Sequence, residues 1–258
     1  MQKNKLSIGI IGAGQIGSTL IRQYTRAGHL VKMANASGVE KLKSLASETG
    51  AVAVTLADAV TGVDVIVLSI PTIAIPQLPK NLFKNTSSDT VIIDTSNYYP
   101  IRDGNIEELE KGMVESVWVS NYLQRPVIKV YNNIIAGSLV LSGTPGNVAS
   151  RIALPVSGDD KEAKALVSIL VDASGFDSFD VGSLQDSWRQ QPGSPVYCTD
   201  LTVAQLKKSI QKAKKDILPE RRQLGLAFIL QQNPELWMDW WKDCVKHNRV
   251  IYESELAV

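Results

Sequence analysis

The sequence predicts an α/β fold, a doubly wound and mostly parallel sheet followed by a small C-terminal helical segment, and three observations predict it. Short Val/Ile-rich runs alternate with longer helical patterns, as in parallel strands buried on both faces and joined by crossover helices. A Gly-x-Gly-x-x-Gly run stands between the first such strand and the first helix. Beyond Gly182 the strand-like runs stop and the chain reads as helical. Together they specify a Rossmann-type arrangement.

In order, the expected strands are Ser7 to Ile11, Leu30 to Asn35, Ala51 to Thr55, Val65 to Ile70, Val91 to Thr95, Val127 to Asn132, Arg151 to Ser157 and Asp177 to Val181. The expected helices are Gln15 to Ala27, Gly38 to Thr49, Leu56 to Thr61, Ile73 to Phe83, Asn105 to Lys111, Asn133 to Leu141 and Asp160 to Ala173. Pro192, Gly193 and Pro195 then make a rigid loop. Residues 1–182 are expected to form a dinucleotide-binding domain and residues 183–258 a helical dimerisation segment, with no repeat at solenoid spacing.

The formal net charge is +1, which argues against nucleic acid or an anionic membrane surface as the main partner, since either needs a clustered basic excess. A small molecule fits better. Cys198 and Cys244 give neither a disulfide framework nor a metal-binding pair, so no metal is expected and the compartment reads as reducing. The start, Met1 to Leu6, is polar and lacks a signal-peptide pattern, and no apolar run is long enough to span a bilayer. The expected location is the cytoplasm.

The loop carries the clearest chemistry. Gly12-Ala13-Gly14-Gln15-Ile16-Gly17 places Gly12 at a tight turn, Gly14 where backbone approaches a pyrophosphate, and Gly17 where helix and strand pack closely. The free N–H groups and positive end of the following helix suit the phosphates. At the end of the second strand an acid would bind the ribose 2′-hydroxyl of NAD, but the residues are Asn35, Ala36 and Ser37. Without that acid NADP(H) is admitted beside NAD(H). Asn35 and Ser37 can donate hydrogen bonds there; Ser37-Gly38-Val39-Glu40 is equally a capping box that would occupy the Ser37 hydroxyl. Lys41 is the nearest cation along the chain.

Open α/β sheets bind ligands beyond the carboxyl ends of their strands. Ser69-Ile70-Pro71-Thr72, Thr95 through Pro100, and Asn132-Asn133 fall there, and for each, turn formation or capping competes with ligand contact. No catalytic acid or base is identified. His29 lies on the side opposite the glycine loop, His247 lies in the tail, and Lys129 and Asn133 straddle a strand end. A carbonyl or alcohol substrate thus lacks a proton carrier, whereas hydride exchange between two stacked rings asks mainly for positioning.

The Gly12 to Gly17 run, Ser69-Ile70-Pro71, Ile93-Asp94-Thr95-Ser96-Asn97-Tyr98-Tyr99-Pro100, Leu154-Pro155-Val156-Ser157-Gly158-Asp159-Asp160, and the segment Ser187 to Tyr197 resemble the coenzyme F420-dependent NADP oxidoreductases and their bacterial relatives over roughly residues 6 to 200. The resemblance implies NADP(H) in preference to NAD(H), with Gly12, Ala13, Gly14, Gln15, Ile16 and Gly17 carrying the pyrophosphate and Asn35 and Ser37 facing the adenosine ribose. It implies that Ser69, Ile70, Pro71, Asn132 and Ala136 surround the nicotinamide, with Tyr98, Trp188 and Arg189 nearest to a second ring, a deazaflavin or flavin. The family carries a hydroxyl residue followed by Arg after the second strand; this sequence has Ala36 and Ser37.

The expected function is therefore hydride transfer between NAD(P)(H) and a flavin-like or other small redox partner. The alternatives are an imine or carbonyl reductase with an inter-subunit pocket, and a dinucleotide sensor without turnover. The segment beyond Gly182 is short for an independent catalytic domain, so a homodimer is expected to complete the site. The apolar stripe Leu236-Trp237-Met238 to Trp240-Trp241 and Cys244-Val245 serves either this interface or packing on its own domain.

Overall fold

A computed structural model describes residues 5–146 and 148–253. The polar start at Met1 to Asn4 lies outside the described residues. The chain divides into two compact units, Met1–Ile128 and Lys129–Val258.

The first unit holds five parallel strands: β1 (Ser7–Ile11), β2 (Leu30–Ala34), β3 (Val52–Ala53), β4 (Val65–Leu68) and β5 (Val91–Asp94), in spatial order β3-β2-β1-β4-β5. The register pairs Ile10 with Met33 on one side and with Val67 on the other. All four residues of β4 are buried, as are Ile8, Ile10, Ile11, Ile92 and Ile93, because helices cover both faces and neither face of a central strand meets water. The crossovers are α1 (Gln15–Arg26), α2 (Lys43–Thr49) and α3 (Leu56–Ala59), followed after β5 by the short α4 (Pro100–Asp103) and α5 (Glu107–Glu110), and then α6 (Glu115–Leu123). Strand order reverses at β1/β4, which sets the crevice at the carboxyl end of β1.

Three local expectations need correction. The helix expected over Gly38 to Thr49 opens as a 3-10 turn, Val39–Leu42, with Gly38 as its N-cap at φ +85°; Ser37 is displaced by one residue, and no capping box forms. The helix expected over Ile73 to Phe83 shrinks to a 3-10 stretch, Thr72–Gln77, because Pro76 and Pro79 supply no N–H to continue it. α6 is not among the expected helices, since its β-branched Val117 and Val119 weaken the helical signal.

The second unit holds β6 (Ile128–Lys129, beginning at its edge), β7 (Ala153–Ser157) and β8 (Asp177–Gly182). β7 and β8 are parallel, joined by α8 (Lys161–Ala173), whose N-cap Asp160 accepts from the N–H groups of Glu162 and Ala163. β6 runs antiparallel to β7 through Lys129 and Ser157 and stops early because Tyr131 sits at φ +62°, outside the strand region. α7 (Ala136–Leu141), α9 (Val203–Ser209), α10 (Leu218–Leu230) and α11 (Trp237–Ile251) complete the unit.

Gly182 ends the last strand, whereas the division into units falls at Lys129. Packing explains the difference. Ala153 of β7 shares a core with Val196, Leu201, Leu206 and Ile210, and Phe179 and Val181 of β8 pack against it. The tail helix is equally committed: Trp241, Cys244, Val245 and Asn248 of α11 are buried, and a Cβ on Gly137 of α7 would lie 2.3 Å from the Trp241 ring. Arg151 clamps the far end of the unit, donating through Nη1 to Asp172 (2.7 Å) and Asp177 (2.9 Å).

Candidate functional site

Three residues turn the chain from β1 into α1. Gly12 sits at φ +102°, and a Cβ there would lie 2.1 Å from the Ser69 carbonyl oxygen, so neither the conformation nor the space admits a side chain. Its N–H donates to Ala34 O at 2.8 Å, fixing the turn beside the end of β2. Gly17 lets α1 close onto this turn, since its Cβ would lie 2.0 Å from Gly12 O and 3.2 Å from Ser69 Oγ. Gly14 is different: nothing lies within 4 Å of a Cβ placed there.

Gly14 is the N-cap of the twelve-residue α1, with no side-chain cap and no acid in the first turn. The backbone N–H groups of Gln15, Ile16 and Gly17 have no carbonyl four residues back within the helix to receive them, and they join the positive end of the helix dipole. Closed at Gly12 and Gly17 and open at Gly14, the loop is a cradle that a pyrophosphate fits. Ala13 and Ile16 are half-buried and Gln15 is exposed around it.

Beside the end of β2 lies a cavity of about 600 Å³. Val39, Val54, Leu56, Ala57, Pro79 and Leu82 supply apolar wall, and Asn35, Thr55, Thr61, Asn81 and Asn85 supply neutral polar groups. The volume and mixed lining are those of a small-ligand pocket and suit a purine riboside. Asn35, Ala36 and Gly38 line it; Ser37 is exposed and is not among the lining residues. Asn35 Oδ1 is buried with no hydrogen-bond partner among the described residues. The wall from the loop after β3 and the stretch Pro79 to Asn85 escaped the sequence reading. The first stands at the carboxyl end of a strand, where the general rule for open sheets would have placed it; no sequence signal marks the second.

Ser69 and Ile70 are half-buried and join the loop: a Cβ on Gly12 would lie 2.9 Å from Ile70 Cγ2. Pro71 is exposed and caps the Thr72–Gln77 stretch. Tyr98 is 1% exposed, and its hydroxyl donates to Gly104 O at 3.0 Å and accepts from Ile106 N–H at 3.1 Å, so it braces its own loop. His29 accepts from Leu6 N–H through Nδ1 and meets Tyr24 edge-on, and burial pushes its pKa down.

In the second unit, Asn132 Nδ2 donates to Gln190 O at 2.7 Å, and Gln190 Nε2 donates back to Asn132 Oδ1 at 2.9 Å. Gln190 also receives the Ser157 hydroxyl at 2.7 Å and donates to Pro155 O at 3.1 Å. Trp188 and Arg189 precede it on the 3-10 stretch Leu184–Gln190, half-buried, with the guanidinium 4.5 Å above the indole ring. Ala136 opens α7 and is buried. Asn132 thus lies against Gln190, which directly follows Trp188 and Arg189 in the chain.

A second group in this unit was also missed. The Asp200 carboxyl accepts from Ser138 Oγ through Oδ2 at 2.5 Å, while Oδ1 is buried with no hydrogen-bond partner among the described residues. Burial pushes its pKa up to about 6, with the Ser138 hydrogen bond and the Arg249 charge acting in the opposite direction. Burial and the charge of Asp200 push the Cys244 thiol up to about 12. Arg249 holds the adjoining backbone by donating to Thr199 O (2.7 Å) and Asp200 O (3.1 Å). Among the described residues no cluster of His, Cys, Asp or Glu could hold a metal ion, and no helix is long and apolar enough to cross a membrane.

The matches to known proteins place the chain in the class of Rossmann-type folds. Residues 7–98, which span β1 to β5, match the family described as NADP oxidoreductase coenzyme F420-dependent. The chain is 36% identical over 92 residues to the protein YjhV of Escherichia coli (strain K12), a match covering 36% of this chain and 60% of that relative's length. Among solved structures, a hypothetical protein from Sinorhizobium meliloti superposes with a TM-score of 0.65 at 28% identity, covering 76% of this chain and 95% of that one. A protein from Arthrobacter described as an F420-dependent NADP reductase superposes with a TM-score of 0.57 at 18% identity, covering 70% and 87%, a likeness of fold.

Proposed function

We propose that the protein holds a nicotinamide dinucleotide, NADP(H) included, on the loop from Gly12 to Gly17 and exchanges hydride between it and a small ring-type redox partner, a deazaflavin or flavin, in the cytoplasm. The observation that carries the reading is the cradle itself. Gly12 and Gly17 are confined by backbone oxygens, Gly14 is open, and α1 starts without a side-chain cap or an acid. The pyrophosphate lies against Gln15, Ile16 and Gly17 N–H, and the adenosine half enters the cavity lined by Asn35, leaving the nicotinamide toward Ser69, Ile70 and Pro71.

Bound dinucleotide supplies the hydride chemistry. The chain's own part is to fix ring positions and exclude water; neither histidine is placed as a proton carrier, and ring-to-ring transfer asks for none. The family match over residues 7–98 supports the reading. Residues 183–258 carry exposed Leu230, Leu236, Met238 and Val250, which supports self-association to a homodimer through the tail.

The test is oxidation of NADPH and NADH by the purified chain with a panel of deazaflavin, flavin, quinone and imine acceptors. Turnover with the deazaflavin or flavin is expected. Binding without turnover across the panel, or turnover with the imine alone, would replace the reading.

A further inference from the structure

The cavity beside Asn35 has no charged side chain in its lining. That is unusual for the place where the two dinucleotides differ, at the adenosine 2′ position. An acid at the end of the second strand accepts the 2′-hydroxyl and repels a 2′-phosphate, whereas a cation pairs with the phosphate. Here the positions are held by Asn35, whose amide can donate or accept, and by Ala36.

The charges nearby are committed elsewhere. Lys32 Nζ donates to Thr61 O at 2.7 Å and Asp58 O at 3.3 Å. Asp58 Oδ2 receives the Thr55 hydroxyl at 2.7 Å. Glu40 and Lys43 form an ion pair of 2.7 Å with each other. Lys41, Lys80 and Lys84 are exposed and outside the lining, where solvent and salt screen them.

We infer that this cavity does not read the 2′ position, so the protein takes NAD(H) and NADP(H) with affinities within about tenfold of each other, the least that one charge-assisted bond to a 2′-phosphate would supply. The inference rests on the dinucleotide reading above. Asn35 and Ala36 are the residues through which either preference could be installed.

Titration of the full chain with NADH, NADPH, ADP-ribose and 2′-phospho-ADP-ribose tests it. In the native protein each pair is expected to bind within about tenfold. Asn35→Asp is expected to weaken the two 2′-phosphate ligands more than about tenfold while sparing the other two, and Ala36→Arg to tighten the 2′-phosphate ligands by a similar factor. A larger native preference in either direction overturns the inference and leaves the dinucleotide reading standing, as does an unchanged ratio in both variants. Failure to bind any of the four overturns both.

Discussion

Asp200 makes the second unit's stability depend on pH, in a direction opposite to the usual carboxylate. Its folded pKa is about 6 against an ordinary 3.8, because the carboxylate is desolvated more than Ser138 and Arg249 compensate. Between these two values the folded chain binds more protons than the unfolded chain, so stability falls as pH rises. The destabilisation is absent below the unfolded value and complete above the folded one, where two pKa units amount to ~3 kcal/mol. Between pH 5 and pH 8 about half of it, ~1.5 kcal/mol, should develop. Cys244 titrates far above this window and stays neutral through it. The perturbation is Asp200→Asn, which keeps the shape and removes the charge, and the assay is urea unfolding of both proteins at the two pH values. The gap in unfolding free energy between variant and native should shift by ~1.5 kcal/mol in the variant's favour on going from pH 5 to pH 8. A gap that stays constant would show that Asp200 is not titrating in that range.

Other outcomes follow from the close contacts. Gly12→Ala should lower the thermal midpoint, at a cost of ~2 kcal/mol or more, since φ +102° and the Ser69 carbonyl both reject a Cβ. Gly14→Val should melt near the native temperature yet lose dinucleotide affinity at least about tenfold by titration, because its side chain meets only the space a pyrophosphate would occupy. Gly137→Ala should cost ~1–3 kcal/mol in denaturant unfolding by driving a methyl into the Trp241 ring, and the cost should shrink in a Trp241→Ala background. Gln190→Leu should cost ~2–4 kcal/mol by removing the side-chain bonds that Gln190 makes to Asn132 Oδ1 and to the Ser157 hydroxyl; a midpoint unchanged in urea would contradict that network.

The central strands β1, β4 and β5 were legible because each is a Val- and Ile-rich run buried on both faces, and composition alone marks such a run even without alternation. Ser7–Ile11 reads to the residue, and β2, β4 and β5 start where the sequence places them. Legibility fails where one residue's backbone decides. Tyr131 at φ +62° cuts β6 short, and Gly38 at φ +85° takes the cap position from Ser37; neither angle is written in a pattern of apolar residues. At the site, the glycine loop was legible because three glycines carry their own spacing. The cavity wall was not, because Val54, Leu56, Pro79 and Leu82 come from separate loops and meet only in space. Asp200 was likewise invisible, an ordinary acid in a polar stretch until its burial against Ser138 is known.

The contact between Gly137 and Trp241 also bears on the order in which the molecule is made. All five strands of the first unit lie before residue 95, so its sheet can form while the remainder is still being synthesised. The second unit has no such opportunity. Trp241, whose ring packs on Gly137 of α7, is synthesised late in this unit, and until it arrives the α7 face around Gly137 lacks that cover. Nascent chains stalled short of α11 should therefore carry a folded first unit and a chaperone-seeking remainder.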